Sequence, residues 1–204
     1  MSRRLWILCL GVVFWALAVP LAVGAQEEPA PVPFTQIVTS DGQITMAYPE
    51  AWAVEGDLVD GALVFRSDAN APTLADGLTA SVAFVTSRAL EQAFLTGATA
   101  AENAAQLRDA YVEQFTGADG QLTAEIGDVA VVPGGGNFPE IASFTVDAGG
   151  QFGVIFLWQV MDGLYGTASV FTTPDAWVNE QPVVLDMLRS ARFIGDAAAL
   201  ERGN

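Results

Sequence analysis

Residues 152–161 read FGVIFLWQVM, ten positions with a single strongly polar side chain. A run of this length and β-branched, aromatic content has neither the alternation of a half-solvated strand nor the length of a membrane span. It predicts a central strand buried on both faces. The run ends in Asp162-Gly163, a tight-turn pair, and Leu164 to Phe171 returns beside it. On the other side, Ile141–Val146 reaches the run through Asp147-Ala-Gly-Gly. A chain built around such a strand must supply an apolar layer for each face.

Two helices supply amphipathic faces. Thr99-Ala-Ala-Glu102 is a capping box, in which the hydroxyl and the carboxylate each satisfy a free N–H at the helix start. Leu107, Tyr111 and Phe115 then recur every four residues on one face. Thr173-Pro174-Asp175 opens the second helix, with an N-cap, a proline at the first helical position and an acid in the first turn. Val184 and Leu188 mark its apolar face, and Pro182 predicts a kink or restart. A shorter helix is predicted over Arg88 to Leu95.

The remaining strands are shorter. Ile44, Met46 and Tyr48 alternate with polar or small residues; Ala62 to Phe65 and Ala80 to Val85 are β-prone runs. Leu122 to Val132 holds one long or two short strands, with Gly127-Asp128 at the break. Five Asp-Gly pairs punctuate the chain, at 41-42, 60-61, 76-77, 119-120 and 162-163. Strands in successive hairpins, with helices inserted in the middle and at the end, predict an α+β domain: a central antiparallel β-sheet flanked by helices, as an α/β/α sandwich.

Ahead of this domain, Arg3 and Arg4 precede 21 uncharged residues, Leu5 to Ala25. Pro20 interrupts the run, and Val23 and Ala25 occupy the −3 and −1 positions of a cleavage site before Gln26. This is a secretory signal pattern. An uncleaved anchor is the competing reading, since roughly 20 apolar residues span a bilayer. Both readings put the domain on the outer side, in the periplasm, at the cell surface or outside the cell. Cys9 follows Leu8, where a lipoprotein signal has a small residue. Gln26 to Pro33 reads QEEPAPVP, an extended linker. The expected organisation is a signal or anchor at 1–25, a linker at 26–33, one domain at 34–193 and a tail at 194–204.

Composition now excludes much chemistry. The chain has no histidine, and its only cysteine is Cys9. Zinc, copper and haem ligand sets are missing, and so are Ser-His-Asp and Cys-His machinery. Beyond the signal, six arginines and no lysine stand against 24 acids, a formal charge of −18. Nucleic acid and anionic membrane are therefore poor partners, because binding there needs cations on the protein. Membrane attachment is expected only through the N-terminal segment, if uncleaved.

Against this frame the chain resembles the PsbP, Mog1 and DcrB-like superfamily. The resemblance lies in Ser40-Asp41-Gly42, then Ile44-Thr45-Met46-Ala47-Tyr48-Pro49-Glu50-Ala51-Trp52, a strand running into a Tyr-Pro-x-x-Trp corner. It continues in the ending, a helix running into Leu188-Arg189-Ser190-Ala191-Arg192-Phe193. The resemblance implies an antiparallel sheet sandwiched by helices, in proteins that mostly bind or assist others. They include photosynthetic accessory subunits, a nuclear-transport factor and bacterial envelope proteins. The metal-site histidines of the photosynthetic branch have no counterpart here, and no functional residue carries across.

Three features invite functional readings. Trp52 is a stacking platform or a core plug, and Trp158 and Trp177 raise the same question. Gly134-Gly-Gly-Asn137 suggests a phosphate loop but lacks its Lys and Ser/Thr, so a hairpin loop competes. Glu55, Asp57 and Asp60 lie within six residues and suit a calcium ion or a solvated turn. No catalytic, cofactor-binding or metal-binding residue is assigned. The function expected is an exported, non-catalytic binding or accessory domain of the cell envelope, with a protein or envelope component as partner and no cofactor. The alternative is a carboxylate-based enzyme or a divalent-cation-binding protein.

Overall fold

A computed structural model describes residues 31–39, 42–55, 62–68, 77–135 and 138–195. The segment expected to be a signal or anchor, most of the expected linker and the tail beyond residue 195 lie outside the described residues. Among the described residues, eleven strands and three helices follow one another in the order β1 (Phe34–Val38), β2 (Ile44–Pro49), β3 (Ala53–Glu55), β4 (Leu63–Arg66), β5 (Thr79–Thr86), α1 (Ser87–Gln92), α2 (Ala100–Phe115), β6 (Glu125–Ile126), β7 (Ala130–Pro133), β8 (Glu140–Asp147), β9 (Phe152–Met161), β10 (Leu164–Thr172), α3 (Pro174–Arg189) and β11 (Arg192–Phe193).

The apolar run becomes β9, which lies inside an eight-stranded antiparallel sheet ordered β3-β4-β5-β10-β9-β8-β6, with β7 also paired to β8. Its two faces go to different layers. Val154, Phe156, Trp158 and Val160 join a core completed by Ile44 and Met46 of β2 and by Val184 and Leu188 of α3. Leu157 packs against Leu90, Leu95 and Ala104 from the α1–α2 side. Ile155 packs with Phe144 against Tyr111 and Phe115 of α2. Burying each such side chain contributes on the order of 1.5–3 kcal/mol, so the two layers together hold the sheet.

The architecture is α+β, a central antiparallel sheet flanked by helices. One flank is composite. Strands β1, β2 and β11 form a separate three-stranded sheet that shares a layer with α3. Ser190, the C-cap of α3, ties helix to sheet: its Oγ accepts from Ala47 N at 2.7 Å, and its single O–H has Met187 O at 2.6 Å and Ala47 O at 3.2 Å as acceptors.

Local signals act as the sequence suggests. The Thr99–Glu102 capping box forms on both sides. Thr173 Oγ1 accepts from Ala176 N at 3.2 Å. Gly163 turns β9 into β10 at φ 81°, and Gly149 and Gly150 turn β8 into β9 at φ 65° and 110°. The stretch from Leu122 to Val132 contains two short strands, broken at residues 127–129. At Pro182 the helix does not restart; α3 runs through it to Arg189. The carbonyl that loses its N–H partner belongs to Val178, on an exposed side of the helix where water can serve it.

Candidate functional site

The C-terminal half of α2 leaves a groove against the sheet. Tyr111 and Phe115 form one wall, Val146, Ile155 and Gly153 the floor, and Phe171 the far wall. Tyr111 is fixed edge-on to Phe144 at 5.4 Å and stacked on Phe115 at 6.2 Å. Gly153 lies under Phe171, its cross-strand partner, and a Cβ there would sit 3.3 Å from the ring. Phe171 is 37% exposed. Gln114 and Gln151 supply the polar rim. Beyond Phe171 the same face of the sheet continues as half-buried Thr79, Ser81, Thr167 and Ser169.

The groove encloses about 240 Å³. Small-molecule sites occupy roughly 300–1,000 Å³, so this volume suits one apolar side chain or a short alkyl segment. No carboxylate and no arginine lines it. Its one titratable group is Tyr111, whose phenol is pushed up by burial. Nothing in it is poised to carry a proton near neutral pH.

A second cavity, of about 350 Å³, opens at the other end of α2, between Leu90, Glu91, Leu95, Asn103 and Tyr165. Asn103 is buried and spends its amide on Gly97, accepting from Gly97 N at 2.7 Å and donating to Gly97 O at 2.9 Å. Burial, and then the charge of Asp162, raise the Tyr165 phenol.

Beside this cavity the chain takes an unusual conformation. Helix α1 ends in a Schellman motif: Phe94 N donates to Glu91 O and Leu95 N to Leu90 O, both at 2.9 Å. The left-handed position of that motif, normally glycine, is Phe94 at φ 63°. Its ring is 87% exposed, while the next residue, Leu95, is buried. A left-handed conformation costs a non-glycine residue about 1–2 kcal/mol. Nothing in the sequence pattern marks this residue; a six-residue helix followed by Ala-Phe-Leu-Thr-Gly reads as an ordinary apolar helix end.

The features singled out from sequence fall elsewhere. Trp52 and Trp158 belong to the main core, and Trp177 packs on Phe156 at 5.9 Å. Gly134 and Gly135 run against neighbouring backbone, where a Cβ on Gly135 would lie 2.6 Å from Arg189 O. Arg189 holds the same strand end by donating Nε and Nη2 to Pro133 O at 3.2 Å. Here the glycines serve close packing, and Gly136 and Asn137 lie outside the described residues. Glu55 pairs with Arg66 at 3.2 Å, and Asp57 and Asp60 lie outside the described residues. Among the described residues no group of three or more His, Cys, Asp or Glu is placed to hold a metal ion, and no helix is long and apolar enough to cross a membrane.

The fold thus defines an α+β sandwich in which two recesses lie beside α2. Among solved structures, the chain is similar to cyanobacterial PsbP (CyanoP) from Synechocystis sp. PCC 6803. That match has 11% identity, covers 84% of this chain and 98% of that one, and has a TM-score of 0.49. It is similar also to LpqN, involved in cell envelope biogenesis of Mycobacterium tuberculosis, with 12% identity, 79% and 90% coverage and a TM-score of 0.44. No family model and no curated protein matches the sequence.

Proposed function

We propose that this chain is an exported, non-catalytic binding or accessory domain of the cell envelope, which holds an apolar side chain or short alkyl segment of a protein or envelope component in the groove between α2 and the sheet. The observation that carries this reading is the lining of the groove. Aromatic and aliphatic walls with two amides at the rim fit a site that binds by burial and orients by hydrogen bonds. The lack of histidine throughout the chain, with the only cysteine inside the signal, fits the same reading. Export is supported by Arg3, Arg4 and the uncharged run that follows.

The test uses a neutral solvatochromic dye as probe. Saturable, blue-shifted binding to the full chain is expected, weakened about tenfold or more in Phe171→Ser, whose side chain is already part exposed. Equal binding by that variant removes the groove from the proposal. A turnover abolished by replacing one carboxylate overturns the non-catalytic reading. N-terminal sequencing of the protein from its envelope separates release, with a start at Gln26, from tethering.

A further inference from the structure

We propose that the end of α1 is a second docking surface, for a partner protein that presents a lysine or arginine beside an apolar pocket: Phe94 inserts into the pocket, and the cation enters the cavity beside Glu91. Folding does not account for Phe94. It occupies a backbone position where glycine is unstrained, and its ring covers little of the core. Leu95, one residue on, already supplies the apolar contact that closes the Schellman motif with Leu90. An exposed aromatic anchor held by a rigid helix end is the form that interface hot spots take.

The chemistry of the partner follows from the charges and donors around the ring. Glu91 is exposed on the cavity's rim, and Asp162 lies close enough to act on Tyr165 inside it. Tyr165 lines the cavity from the core side and is itself buried. Arg88 is the one cation of α1 and already has an interaction of its own. Three other arginines act as fasteners: Arg66 pairs with Glu55, Arg108 reaches Gly127 O and Asp128, and Arg189 holds Pro133 O; Arg192 is exposed on β11, in the separate three-stranded sheet. With 24 acids against six arginines beyond the signal, the surface offered to a partner is predominantly acidic. Such a field steers a basic partner inward.

A displayed library of a folded scaffold with a randomised concave face, selected against the full chain, tests this. Enriched binders should combine Lys or Arg with an apolar pocket. They should bind Phe94→Gly and Glu91→Gln about tenfold more weakly or worse, and Phe171→Ser unchanged. Phe94→Gly keeps every charge and relieves the backbone, so it separates docking at this site from diffuse attraction to an acidic protein and from misfolding. Binders that recognise Phe94→Gly as well as the parent chain, enrichment of acidic binding faces, or no enrichment overturns the proposal. Loss in Phe171→Ser alone points to the α2 groove and also overturns it.

Discussion

Gly166 lies directly against the indole of Trp158, its cross-strand partner; a Cβ at residue 166 would overlap Cε2 and Cζ2 and lie 2.7 Å from Cη2. Trp158 is fully buried, and its Nε1 has no hydrogen-bond partner among the described residues. The indole therefore acts by volume and fills the space that the glycine leaves, with Phe84 edge-on at 6.1 Å. Neither residue can change alone. Gly166→Ala is expected to cost about 3 kcal/mol, at the upper end of overpacking penalties, because strand and ring are both fixed. Urea denaturation measures it; a loss below about 1 kcal/mol would show that the strands separate easily.

At the start of α2 the capping box carries more than its two standard bonds. Glu102 Oε2 accepts from Thr99 N at 3.3 Å and also from Ala98 N at 2.6 Å, while Thr99 Oγ1 accepts from Glu102 N at 3.1 Å. Thr99→Ala is expected to destabilise the fold by about 1 kcal/mol. Glu102→Ala removes acceptors for two donors and should cost at least as much. Equilibrium denaturation of the two variants side by side checks the order; a larger loss for Thr99→Ala contradicts it.

These local devices were legible because they are written in short sequence. The same holds for β9, β10 and both long helices, where ten apolar residues, an Asp-Gly pair or a four-residue repeat leaves little choice. Other features depend on distant partners. Strand β1, residues FTQIV, has no clean alternation, and only the Asp-Gly pair ahead of Ile44 hinted at a hairpin there. The split into two sheets depends on β11 pairing with β2 across the whole chain. The α2 groove is not legible in the sequence, because Tyr111 and Phe171 are sixty residues apart and meet only once the sheet has formed. Trp52 and Trp158 are conspicuous aromatics, yet what they face is set by packing.

Glu180 gives a pH signature. It is half-buried in α3, and desolvation raises its carboxyl above the ordinary range. An unfolded glutamic acid titrates near about 4.3. Between that value and the raised folded one, the folded state holds the proton more tightly. Stability from this group is complete below the window and falls as pH rises through it. Glu180→Gln should match the parent chain near pH ~4 and exceed it near pH ~8. Subtracting the two denaturation profiles cancels the many other carboxylates. A difference that is flat with pH, or that favours the parent at high pH, rejects the assignment.

The backbone at Phe94 makes a prediction of opposite sign to most substitutions. At φ 63° the side chain is strained and its ring lies 87% in solvent, so little packing is lost with it. Phe94→Gly relieves the conformation and should stabilise the fold, by about 1 kcal/mol once the greater freedom of glycine in the unfolded chain is offset. Phe94→Ala keeps the strain without the ring and should be close to neutral. Phe94→Asn, which tolerates the left-handed region, should fall between them. Thermal melts of the three variants give the ranking glycine, asparagine, alanine. If glycine melts lowest, the ring contributes to the fold in a way its exposure does not reveal, and the strain at residue 94 is then a requirement of folding that leaves no reason to assign it to a partner.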